Sequence, residues 1–153
     1  MTNRCLIFLI AALLLLLSGC AGMTIQPSAE SAAAQAQPEP VKSENKAVIA
    51  LLDLAHTDSE AGRRDAADAS LERALRIEPR NPWLWHELAQ LRLTQGQYEQ
   101  AISLARKSNS FAGQDRRLQA LNWRAISDAR VAQGDSSGAE QALKQATQLE
   151  QSQ

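Results

Sequence analysis

From residue 44 to the end of the chain, apolar residues recur every third or fourth position and short polar breaks separate the runs, which is the spacing of amphipathic helices and not of strands. Leu51 and Leu54 precede Gly62, and Ala67, Leu71 and Ala74 follow it. Trp85, Leu88 and Ala89 precede Gly96, followed by Tyr98, Ala101 and Ala105. Trp123 and Ile126 precede Gly134, followed by Ala139, Leu143 and Ala146. Gly62 and Gly96 stand 34 residues apart and Gly96 and Gly134 stand 38 apart, with an alanine five positions after each glycine. Such a period predicts an array of stacked units, each a pair of helices joined at a glycine turn. Glycine allows the left-handed turn between antiparallel helices, and Ala67, Ala101 and Ala139 let the helix backbones approach closely. Pro79 and Pro82 separate the first pair from the second. The expected fold is all-α, with three hairpins over about 48–81, 82–115 and 120–153 stacked as a short right-handed solenoid. In the third, the four extra residues read as one more helical turn over 115–118 that starts at Asp115 as N-cap.

The aromatic, the Leu-Gly/Ala pair, the glycine turn, the spaced alanines and the closing proline resemble the tetratricopeptide repeat. Arg64 stands where that pattern has an aromatic, Ala55 where it has glycine, and Gly113 where it has the second closing proline. The resemblance implies a module that binds protein segments on the surface lined by the first helix of each pair. Its groove positions fall on Ile49, Leu52 and His56, then Trp83, His86, Gln90 and Leu93, then Leu121, Arg124, Asp128 and Val131. Helix geometry adds that Trp83 and Trp85, two residues apart, point about 200° away from one another. Trp85 and Trp123 share one repeat position and are expected between the helices. Trp83 is left either in the groove, as an exposed hot spot, or against the preceding repeat. Arg116, Arg117 and Arg124 form the one basic cluster and could pair with an acidic segment. The lysine and asparagine pattern of repeats that clamp a C-terminal carboxylate is absent, and Gln145, Gln148 and Gln151 are expected to solvate the end of the array.

The first forty residues differ from the rest. Arg4 precedes an apolar run from Cys5 to Leu17, too short to span a hydrocarbon layer of roughly 30 Å but sized for a signal peptide. The run ends in Leu17-Ser18-Gly19-Cys20, which resembles the bacterial lipobox. The resemblance implies cleavage after residue 19 and lipidation of Cys20, and Ala21 in place of aspartate implies sorting to the periplasmic face of the outer membrane. Residues 20–43 are rich in Gln, Pro, Ala, Ser and Glu and poor in large apolar side chains. They are expected to form a disordered linker between the lipid anchor and a domain over 44–153.

A net charge of −1 with 22% charged residues gives no field that would draw nucleic acid. The two cysteines, Cys5 and Cys20, both lie in the N-terminal segment, so the domain has neither a disulfide framework nor a cysteine-built metal site. No nucleophile or phosphate-loop motif occurs. His86-Glu87 lacks the second histidine of a zinc protease, because position 90 is Gln. Ser43-Glu44-Asn45-Lys46 fits Ser-x-x-Lys without the companion motifs and reads as a helix start. No enzyme, cofactor or metal is expected. The combination of lipobox, linker and small repeat domain resembles the Lpo-type lipoproteins, which implies activation of a class A penicillin-binding protein. The alternative is a pilotin-like assembly factor for a type IV pilus or secretion system.

Overall fold

The structure, a computed structural model, describes residues 42–152; the expected signal peptide, Cys20 and most of the linker lie outside the described residues. The described residues belong to one compact unit, in which six helices follow one another. They are α1 (Lys46–Glu60), α2 (Arg64–Ile77), α3 (Pro82–Thr94), α4 (Tyr98–Phe111), α5 (Arg116–Ala132) and α6 (Ser136–Gln151). They pair as α1/α2, α3/α4 and α5/α6, and each pair packs on the next, as the repeat period predicts.

The three hairpin turns are closed in the same way. Gly62, Gly96 and Gly134 sit at φ of +73°, +74° and +79°, a region that costs side-chain-bearing residues about 1–2 kcal/mol. Around Gly62 its own N–H donates to the Ser59 carbonyl, and the Arg63 N–H reaches back to Asp58. Gly96 and Gly134 repeat this with Leu93 and Arg92, and with Val131 and Arg130. The paired bonds satisfy carbonyls that a helix end otherwise leaves free.

The helix starts are set by side chains as well. Asn81 accepts from the Trp83 N–H ahead of Pro82, Asp115 accepts from Leu118 as expected, and Asp135 accepts from Gly138. The first helix begins differently from the sequence reading. Asn45, not Ser43, is the N-cap and accepts from Ala47, while Ser43 accepts the Asn45 N–H and donates to Glu78. Ser43 makes the same kind of bond two residues on, but the helix starts at Lys46, so the capping bond is the one from Ala47 to Asn45. Lys42 and Ser43 are therefore docked on the domain and do not belong to the linker. The Asn81 amide donates to the Lys42 carbonyl at 2.7 Å, and the Lys42 ammonium meets Glu87.

One apolar cluster joins the first hairpin to the second through Val48, Leu52, Leu71, Leu84, Leu88 and Leu91. Another joins the second to the third through Ala89, Ile102, Ala105, Ile126, Ala129 and Ala142. Ala67, Ala101 and Ala139 are buried where helices approach, and Trp85 and Trp123 are half-buried between them. A polar network lies between the second and third hairpins. Fully buried Asn122 on α5 donates to Ser108 Oγ at 2.7 Å and to Asn109 Oδ1 at 2.8 Å, and its carbonyl oxygen lies 2.8 Å from His86 Nδ1. Ser108 in turn donates to the Pro82 carbonyl at 2.8 Å. Both amide donors and the amide acceptor of Asn122 are thus used across three helices.

Replacing Asn122 strands two buried partners, His86 and Ser108, and the half-buried Asn109. Asn122→Ala is expected to lower the unfolding free energy by about 3 kcal/mol, measured by urea denaturation. Arg124→Ala, which removes an exposed pair with Glu150, is expected to leave the denaturation midpoint nearly unchanged.

Candidate functional site

Stacking buries one side of each first helix and leaves another side open. On α3 the open side carries Glu87, Gln90 and Thr94, which with His56 and Ser59 of α1 border a depression of about 90 Å³ floored by Ala55, Ala67, Leu71 and Leu91. Glu87 is its charged centre. Its carboxylate receives the Lys42 ammonium at 2.5 Å and faces His56 Nε2 at 3.0 Å, so one side chain ties the residues before α1, α1 itself and α3 together. Burial pushes the Glu87 carboxyl up, but the hydrogen bonds from Lys42 and His56 outweigh it and hold it below the usual carboxylate value. Glu87 is therefore ionised at neutral pH. Ile49, at 41% exposure, adds an apolar side chain on α1, and Val131, at 64%, does the same on α5.

Several of the expected groove residues lie elsewhere. Trp83 is neither in the groove nor against the preceding repeat. It is 8% exposed and packs toward the following repeat with Ala112, Leu118 and Leu121. Its ring meets the His86 ring edge-on with centroids 5.9 Å apart, and the Lys42 ammonium lies 5.9 Å from its centroid. His86 is also buried, one turn along the same side of α3, where Asn122 takes its Nδ1. Leu52 is a core residue. Helix phase accounts for His86, which is turned about 100° from Glu87 and meets Asn122 of α5; Trp83 shares the angular position of Glu87, Gln90 and Thr94 but stands a turn nearer the start of α3, where Ala112 and Leu118 cover it. Of the expected residues on α3, Gln90 does border the depression.

The basic cluster is not a set of free cations. Arg124 grips Glu150 of α6 with two bonds of 2.8 Å, and Arg116 donates to the Ser152 carbonyl, so both fasten the end of α6 to α5. Arg117 is half-buried beside them, and Asp128 is exposed one turn after Arg124. Leu93 and Leu121 are half-buried. Glu87 was missed by sequence reading because it sits one position from the predicted stripe; its i+4 relation to Trp83 was the available signal. No group of three metal-ligating side chains occurs among the described residues.

Helical hairpins joined at glycine turns and nested side by side define a tetratricopeptide repeat module. The tetratricopeptide repeat family model matches residues 58–122, from the end of α1 into α5. The solved globular C-terminal domain of P. aeruginosa LpoP is 43% identical, with a TM-score of 0.67, over 69% of this chain and 99% of that domain. No curated protein matches the chain. The chain belongs to the LpoP-like family of tetratricopeptide proteins.

Burial lowers the pKa of the His86 imidazole, against the opposing effects of Asn122 and Glu87, so the folded protein holds it neutral. In the unfolded chain the ring takes a proton below about pH 6.5. Unfolding then gains a proton, so the stabilising contribution is complete above that pH and is lost as pH falls through the lower, folded-state value. The thermal midpoint is expected to fall between pH 7 and pH 5, and His86→Gln is expected to flatten that fall while lowering the midpoint at pH 7.

Proposed function

We propose that this chain is a membrane-tethered periplasmic interaction module that activates a class A penicillin-binding protein, the activity implied by its Lpo-type resemblance. The observation that carries the reading is the 43% identity maintained over nearly the whole LpoP C-terminal domain. The lipobox-like Leu17-Ser18-Gly19-Cys20 and the apolar run before it support a signal peptide over 1–19, lipidation at Cys20 and retention at the periplasmic face of the outer membrane. Residues 21–41 then act as a tether of roughly 70 Å when fully extended. The absence of catalytic motifs agrees with a protein that works by binding.

Activation of this kind is a shift of population. The module favours the active synthase by binding that state more tightly than the resting one, and the coupling can be no larger than the difference between the two affinities. The depression around Glu87, His56 and Gln90 is the docking surface best supported on the first-helix face: it offers a fixed carboxylate, an imidazole and an amide beside apolar side chains. Asp128 and the exposed Ile49 and Val131 extend it along the first helices.

A photoreactive residue at position 90 is expected to capture a class A penicillin-binding protein in whole cells. Halving the 21–41 tether is expected to abolish that capture and the activation of the synthase, while the same chain purified in detergent still binds. Capture of a secretin in its place, or full activation with the halved tether, would count against the reading.

A further inference from the structure

A second cleft, of about 690 Å³, opens between the second helices of repeats two and three, with α5 behind it. Its lining brings together Arg106 of α4, Arg130 of α5 and Lys144 of α6 with Trp123, and contains no carboxylate. Arg106 and Lys144 are exposed and make no ion pair or hydrogen bond among the described residues. Arg130 keeps one contact, 3.1 Å from the half-exposed Asp135. Its guanidinium and the Asp135 carboxylate both lie over Gly138, where a Cβ would collide with them, so the small residue at the start of α6 leaves room for this pair at the edge of the cleft, and Arg106 and Lys144 are its cations without a partner among the described residues.

The tryptophan differs from its counterpart one repeat earlier. Trp85 donates its indole N–H to the Pro79 carbonyl at 2.9 Å, and Lys107 lies 5.9 Å from its ring centroid. The equivalent of Lys107 in repeat three is Gln145, and Trp123 has no cation or ring partner among the described residues. Its N–H has no acceptor there and is not a buried orphan, so it reaches solvent. The cleft thus presents three cations, an unused indole N–H, an aromatic face and the amides of Gln141 and Gln145.

We propose that this cleft receives an acidic peptide segment of a protein partner, with carboxylates paired to Arg106, Arg130 and Lys144 and an apolar side chain resting on Trp123. The cations stand on three different helices around a volume far larger than an inorganic anion, so they fit charges spaced along a chain. The glutamine amides suit a peptide backbone, and the tryptophan supplies the desolvated contact on which peptide affinity depends. A nucleic acid would need a longer basic track than three residues on a chain of net charge −1. The site lies on other helices than the Glu87 depression and does not rest on the partner being a synthase.

The test uses the full chain in detergent and a fluorescein-labelled peptide of ten residues, glutamates around one central leucine, read by fluorescence anisotropy. Binding is expected to weaken at least tenfold in the Arg106→Gln/Lys144→Gln double variant, whose circular dichroism stays that of the parent because both side chains are exposed. It is expected to weaken with added salt, to vanish when glutamines replace the glutamates, and to be unaffected by Gln90→Ala, which reports on the other site. Absence of binding, equal binding by the double variant, or displacement of the peptide by inorganic phosphate at comparable concentration would each overturn the proposal, the last by assigning the cleft to a small anion.

Discussion

Two hairpins that meet only through alanine and leucine can slide by a turn at little cost, because apolar contact is not directional. Asn122 removes that freedom between the second and third repeats. Its amide has three bonding directions, and each ends on a different partner: Ser108, Asn109 and His86. A shift of α5 along α3 and α4 would leave these groups buried without partners, and the penalty for that exceeds the gain from any alternative apolar contact. Between the first and second repeats the equivalent work is shared by the apolar cluster, by the Arg92–Asp68 pair at 2.8 Å and by the Glu87 contacts that draw Lys42 and His56 onto α3. The second hairpin is thereby held on both sides, which fixes the spacing of the first helices and so the outline of any surface they present.

The end of the array follows from the same logic of positions. Where repeat two offers Ala89, Ile102 and Ala105 to the next hairpin, repeat three carries Ser127, Glu140 and Leu143 at the corresponding places. Ser127 is buried and donates to the Ala139 carbonyl within the third hairpin, and Glu140 is exposed, so these positions are more polar than their counterparts in repeat two. The Arg124–Glu150 pair and the Arg116 contact to Ser152 close the last hairpin on itself with groups that can stay hydrated. Cations that a sequence reading offers to a partner are here structural ties, while Arg106 and Lys144, on the second helices of repeats two and three, are among the described cations without such ties.

Much of the fold was legible in the sequence because period and turn chemistry are local. The glycines at 62, 96 and 134, the alanines five residues on, Asp115 and the Pro82 start each act within one turn of helix, and each appears in the structure where the pattern put it. The groove was less legible. Placing Trp83 and His86 required knowing which part of α3 the third repeat covers, and that depends on the angle at which hairpins stack, a property of side-chain volumes across two repeats and not of one helix. His86 and Asn122 are 36 residues apart, and nothing in either segment alone marks them as partners. Lys42 was read as linker because its partners, Glu87 and the Asn81 amide, lie in another repeat. In each case the missing information was a contact across repeats.

The stacking account depends most directly on the proton between His86 and Asn122. Because the Asn122 amide nitrogen already donates to Ser108 and Asn109, its carbonyl oxygen faces His86, so the ring must carry a hydrogen on Nδ1, and burial favours its neutral form. A long-range proton–nitrogen NMR spectrum of the ¹⁵N-labelled chain at neutral pH resolves this tautomer. The account predicts a neutral His86 with Nδ1–H and an unprotonated Nε2. A ring that is neutral with hydrogen on Nε2, or one that titrates like a solvated histidine, would contradict it.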